Sequence, residues 1–261
     1  MQDLVFTTEE ITAIIGAYLW PFARIGAMLA VAPVFSAKSV PVKIKVALAM
    51  ACSVVVAPTL PPLPAVDFLS GEAFLIMVNQ IVIGAAIGFV LQFVFGVFVV
   101  AGQIFAMLTG LGFSMMNSPQ DGVQVTVVGQ MYVIITTLFF LSMHGHLFLL
   151  QMLFESFHKI PIGLQNIPTE NLWLMISWGS RFYMHAVMIV MPAIAAMLMV
   201  NFSFGVMAKA SPQLNPFSIG FMITIILGFV IFLVTLPGLI PYFTKLMEEG
   251  FTLVERIMVI P

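Results

Sequence analysis

Apolar residues stand in long consecutive blocks along this chain, and Pro, Gly and charged residues cut the blocks into about six segments: 11–35, 42–60, 73–109, 123–154, 172–204 and 217–241. Successive positions within each block are apolar, where a lipid-facing strand barrel would need alternation, so the pattern predicts helices. The expected fold is all-α, a polytopic membrane-type protein with about six long apolar helices, organised as a single domain over 1–261. The connections are 36–41, the proline-rich PTLPPLP at 58–64, 110–122, 156–170 and 205–218. None is long enough for a soluble domain, and no short-period repeat is present.

Two segments are unusual as plain membrane crossings. The third, at about 37 residues and 1.5 Å per residue, makes on the order of 55 Å of helix against a hydrocarbon core of about 30 Å. It must tilt, break, or rise out of the bilayer against protein. The first carries Pro21, Arg24 and Pro33, and an arginine in an apolar helix faces a partner or water rather than lipid. Both features point to burial inside an assembly, with Arg24 a candidate subunit-interface residue.

Composition strengthens the membrane reading. Of 261 residues 61% are apolar and 8% charged, against roughly 25% charged in a soluble domain. Asp, Glu, Lys and Arg are absent between Glu72 and Asp121, Asp121 and Glu155, Arg181 and Lys209, and Lys209 and Lys245. Each gap exceeds the roughly 20 residues that cross a bilayer. The opening MQDLVFTTEE lacks the basic region of a cleaved signal, so the first apolar stretch is expected to remain as an anchor. Lys38, Lys43 and Lys45 favour an outside N-terminus, but Lys159, Lys245 and Arg256 nearly cancel that preference. A net charge of -2 with scattered basic residues leaves no footprint for nucleic acid.

Few residues offer chemistry. Gly88, Gln92, Gly96 and Gln103 recur at spacings of four, four and seven, forming one small-and-polar stripe that either packs helices closely or lines a wet passage. His144 and His146 resemble a metal pair, but at i, i+2 they diverge by about 200° around a helix, and His158 and His185 belong to other segments. Arg181 and His185 share a face, as an interface or headgroup anchor or as a proton relay. Glu155 and Lys159 read as a solvated ion pair, and Glu248, Glu249, Glu255 and Arg256 as a wet C-terminal face. Cys52 is the single cysteine and reads as core filler. There is no phosphate loop, zinc-protease motif or serine with a neighbouring base, so no enzyme, cofactor or metal is indicated.

Four stretches nevertheless stand out: RIGAMLAVAPVFSAKSVPVKIKVALAMA (24–51), GLGFSMMNSPQDG (110–122), HGHLFLLQMLFESFHKIPIG (144–163) and GVMAKASPQLNPFSIGF (205–221). In order and spread they resemble the family of R subunits of the flagellar type III protein export gate, whose injectisome counterpart is the T subunit. The resemblance implies a fold like a fusion of P-like and Q-like gate subunits. It also implies a ring shared with P subunits (FliP) and Q subunits (FliQ), contact with FlhB, FlhA and basal-body ring and rod proteins, and passage of unfolded flagellar substrates. The implied location is the bacterial inner membrane within the flagellar basal body, raised toward the periplasm.

In that family the loop matching 110–122 projects into the passage as a plug. The resemblance thereby marks Gly110, Leu111, Gly112, Phe113, Ser114, Met115, Met116 and Asn117 as plug residues. Glycine gives such a loop freedom to fold in a confined space, and Phe113, Met115 and Met116 offer deformable apolar bulk. The alternative is that these side chains pack the loop onto its own subunit. Lys209, in the last matching stretch, is a candidate interface residue beside prolines that end one helix and start another. A small-solute transporter is the contrasting class, disfavoured because the middles of the third, fourth and sixth segments lack ionisable residues.

Overall fold

The computed structural model describes residues 8–37, 40–61, 64, 66–67, 70–112, 126–164, 168–210 and 216–258. They form seven α-helices: α1 (Thr8–Val31), α2 (Val42–Val56), α3 (Gly71–Leu108), α4 (Val127–Ser142), α5 (Gly145–Lys159), α6 (Thr169–Ala210) and α7 (Pro216–Ile257). A short 3-10 turn, Ala57–Thr59, prolongs α2. The described residues contain no strand, in keeping with the all-α, polytopic reading. Among the described residues four stretches are long and apolar enough to cross a membrane, or five if the broken pair α4 and α5 counts as one span.

Two segments depart from the sequence pattern, and a third holds to it. The block at 123–154 is not one helix: it breaks at Met143 and His144, where His144 takes φ 57°, a left-handed conformation that no α-helix propagates. The last helix runs on to Ile257 through Pro237 and Pro241, although proline removes a backbone donor and ordinarily ends or kinks a helix. Beyond Pro241 its face alternates buried Leu246, Leu253 and Ile257 with exposed Glu248, Glu255 and Arg256, an amphipathic period that sustains helix without a purely apolar run. The third helix neither breaks nor shortens, holding 38 residues, about 57 Å at the standard rise.

The chain divides into two compact units. One comprises residues 1–92, 144–177 and 249–261, the other 93–143 and 178–248, so α3, α6 and α7 contribute to both.

In the first unit α1 and α3 run in the same direction at close quarters. Gly84 lies against the Arg24 carbonyl, and a Cβ at Gly88 would sit 2.8 Å from the Met28 oxygen and 3.0 Å from the Ala32 nitrogen. Two glycines one turn apart let the backbones touch, which in a membrane is a principal source of helix association. After α1 the chain reverses through a turn in which Ser36 N donates to Ala32 O at 2.8 Å and α2 packs back on α1. The end of α7 is tied to the start of α6 by Asn171 Nδ2, which donates to Ile257 O at 3.1 Å.

The second unit has an aromatic core. Phe243 meets Phe95, Phe98 and Phe139 at ring-centroid separations of 6.1, 5.6 and 6.3 Å. One layer away, Phe232 meets Phe105 and Tyr132 at 5.9 and 5.6 Å. Most of these rings meet edge to face, the geometry their quadrupoles favour. Thr126 caps α4, its hydroxyl accepting from Gly129 N at 3.0 Å.

Candidate functional site

The stretch 110–122 follows the end of α3, and the structure describes its first three residues, 110–112, and how they are held. Thr109 is fully buried, its hydroxyl donating back to Phe105 O at 3.1 Å. Its methyl fills the space a side chain at Gly228 would need, with Cγ2 2.5 Å from the would-be Cβ. Gly110 follows at φ 76°, the left-handed residue that ends many helices and that glycine adopts without strain. A Cβ there would also lie 2.9 Å from the Phe221 ring, so conformation and space both call for glycine. Leu111 and Gly112 are half-buried as the chain departs. Phe113, Ser114, Met115, Met116 and Asn117 lie outside the described residues.

Along α3 the residues of the proposed stripe fall in different surroundings. Gly88 is buried against α1, as above, and a Cβ at Gly96 would sit 2.8 Å from the Phe182 ring of α6. Gln92 is exposed and Gln103 half-buried. The spacing of four also extends backward to Gly84 and Gln80, two residues the sequence reading did not single out. Continuing the i, i+4 series one step at a time would have found both.

Gln80 leads to the largest buried polar feature. Arg24 has no exposed surface; its Nε donates to Gln80 Oε1 at 2.8 Å. One terminal nitrogen donates to Ser156 O at 2.9 Å and Ser156 Oγ at 3.1 Å, and the other to Ile160 O at 2.9 Å. The guanidinium carbon also stands 4.3 Å from the centre of the Phe157 ring. Ser156 and Ile160 mark the C-terminal end of α5, where unpaired carbonyls and the negative end of the helix dipole attract a cation. The expectation that Arg24 faces another subunit is thus corrected: its donors are engaged inside its own chain. Gln80 Nε2 is buried without a partner, the one loose end among the described atoms of this cluster.

The remaining candidates are scattered. Lys209 is exposed in the last turn of α6, and Pro216 opens α7, as the proline pattern anticipates. His144 is exposed, and its ring centroid lies 6.4 Å from that of His146. Among the described residues no three His, Cys, Asp or Glu side chains are grouped to hold a metal. His185 Nδ1 is 2.9 Å from the Tyr242 hydroxyl, joining α6 to α7, while Arg181 is exposed. Glu155 and Lys159 do pair, at 3.7 Å. Cys52 is half-buried in α2.

Fold and surface together define an all-helical, polytopic membrane protein whose buried polar groups serve packing. Residues 15–250 match the family described as "Bacterial export proteins, family 1". The chain is 32% identical to the flagellar biosynthetic protein FliR of Escherichia coli K12 over 98% of its length and 97% of the relative's. It is 29% identical to the FliR of Pectobacterium carotovorum over 98% and 97%, and 28% identical to that of Aquifex aeolicus over 90% of each chain. The chain therefore belongs to the bacterial export proteins, family 1, and within them to the FliR flagellar biosynthetic proteins. This is a family of flagellum biogenesis and protein export rather than of enzymes.

Proposed function

We propose that this chain is a non-enzymatic subunit of the flagellar type III export gate. In this reading it completes the channel through which unfolded flagellar proteins leave, and residues 110–117 stopper that channel. It acts in the inner membrane, within the basal body, beside P and Q subunits and in contact with FlhA and FlhB.

The observation that carries the reading is the uneven coverage of the helices. In α3 61% of the apolar window is buried within the chain, but in α6 and α7 only 17%. The uncovered side of α6 is patterned: Met184, Met188, Met191, Ala195, Leu198 and Phe202 are all exposed and recur at alternating steps of four and three. That side, with the small Ala195 within it, lets a neighbouring helix approach closely. A chain built this way is suited to sister subunits.

The anchored root of the loop supports the stopper. A flexible segment seals a pore only if its base is held, and Thr109 and Gly110 fix that base against α7. Beyond it, Phe113, Met115 and Met116 supply soft apolar bulk, which can exclude water by dewetting and yield to an unfolded chain of any sequence. Lys209, exposed where α6 ends, is proposed to face a partner subunit.

Deleting Gly112 to Met116 tests this. The assembled complex should form, and cells carrying it should leak ions; a tight membrane with normal assembly rules out the stopper. Expression of the chain without the P subunit should give rapid degradation, and a long-lived lone chain would count against the assembly itself.

A further inference from the structure

The α1 and α2 pair contains a groove of about 620 Å³, lined by Ile15, Tyr18, Leu19 and Phe22 from α1 and by Met50 and Val54 from α2. Its volume falls within the roughly 300–1,000 Å³ of small-molecule sites. Ser53 also lines it, but its hydroxyl donates to Ala49 O at 2.6 Å on its own helix, so the groove offers almost no polar contact. Ile15, Tyr18, Met50 and Val54 are exposed, so a ligand can enter from the side.

Charge singles out one end. From Glu10 to Asp67 the chain has no acidic residue, while Arg24, Lys38, Lys43 and Lys45 are basic. Arg24 is engaged internally. Lys43 is exposed, and among the described residues it forms no ion pair. On α2 it precedes Met50 by seven residues and Val54 by eleven, which puts it within about 20° of each around the helix, with the three spread over about 16 Å. A cation thus stands in line with the apolar furrow. It is the second residue of an 18-residue stretch of span length, Val42–Thr59, the position at which a crossing helix reaches the headgroups.

We propose that this groove is a lipid site. It holds an acyl chain of an anionic phospholipid along Tyr18, Phe22, Met50 and Val54, with the lipid phosphate on Lys43. A protein helix docking here would leave the lysine without a counter-charge unless it brought its own carboxylate. An anionic lipid brings charge and chain in the required order.

The test uses the full chain co-purified with its partner subunits in mild detergent, then exposed to phosphatidylglycerol or phosphatidylcholine, with bound lipid counted by native mass spectrometry. Wild type should retain phosphatidylglycerol in preference. Lys43→Gln should lower that preference about five-fold, the effect of one lysine near an anionic surface. Val54→Trp should lower retention of both lipids by more than about ten-fold, as expected when two or more methylenes leave the groove. Unchanged retention or unchanged preference in these variants overturns the site. A photoreactive residue at position 54 in an otherwise unaltered chain gives a second measurement in whole cells. A phospholipid adduct supports the proposal; a protein adduct in its place overturns it and makes this face a subunit contact.

Discussion

The largest fully buried side chain of the first unit is Arg24; in the second, that place is taken by Tyr132 and by Phe98, Phe105, Phe140 and Phe243. The two cores solve one problem by different means. In a lipid solvent apolar surface gains little by leaving its surroundings, so helices must be sorted by shape, close approach or directional bonds. The second unit uses shape, with rings interlocked edge to face. The first uses direction: one planar fork reaches α3 and two carbonyl oxygens at the end of α5. Its charge is met by a helix terminus and a ring face, with no carboxylate among its described partners. A ring cluster tolerates substitutes of similar volume, whereas a fork does not tolerate another cation.

That contrast can be broken by mutation. The largest effect is expected from Arg24→Ala, which leaves Gln80, Ser156 and Ile160 without their buried donor. It should cost about 3–5 kcal/mol, read as a lower melting temperature of the solubilised complex and new protease cleavage near 156–164. Arg24→Lys should recover less than half, since a single ammonium cannot reach three directions.

Phe243→Ala should cost about 3 kcal/mol by emptying the centre of the ring cluster, whereas Phe243→Leu should stay below about 1.5 kcal/mol. Equal tolerance of Arg24→Lys and Phe243→Leu in the same thermal assay would erase the distinction. Smaller is Gly88→Ala, about 1–3 kcal/mol from overpacking against the Met28 carbonyl; the same change at Gly163, with no atom within 4 Å of its Cβ position, should be nearly silent. The smallest is Glu155→Ala, about 0.3–0.5 kcal/mol for a partly exposed i, i+4 pair, fading in high salt.

What could be read in advance follows from how local each feature is. The apolar blocks predicted helices at nearly all the right places because a run of consecutive apolar residues admits no other backbone in lipid. The break at His144 was not legible: His-Gly-His carries no proline, and a left-handed histidine reflects tertiary context. The run of α7 beyond Pro241 to Ile257 was missed for the opposite reason, since proline is a strong local stop that packing overrode. Arg24 was legible as a buried group, because an arginine in an apolar helix must find partners. Its partners lie 56, 132 and 136 residues away, a separation that no periodicity encodes.

By itself, then, the amino-acid order determined an all-helical chain for a lipid solvent, the glycine- and methionine-bearing stretch that follows α3 and the family to which the chain belongs. These depend on composition, short-range spacing and motif order. Tertiary structure decided that Arg24 turns inward, that Gly84 and Gly88 meet α1, that Thr109 and Gly110 brace the loop root, and that α6 keeps a patterned face uncovered. Each of those depends on which distant segments come within a few ångströms of one another, and contact at that range is a property of the folded chain alone.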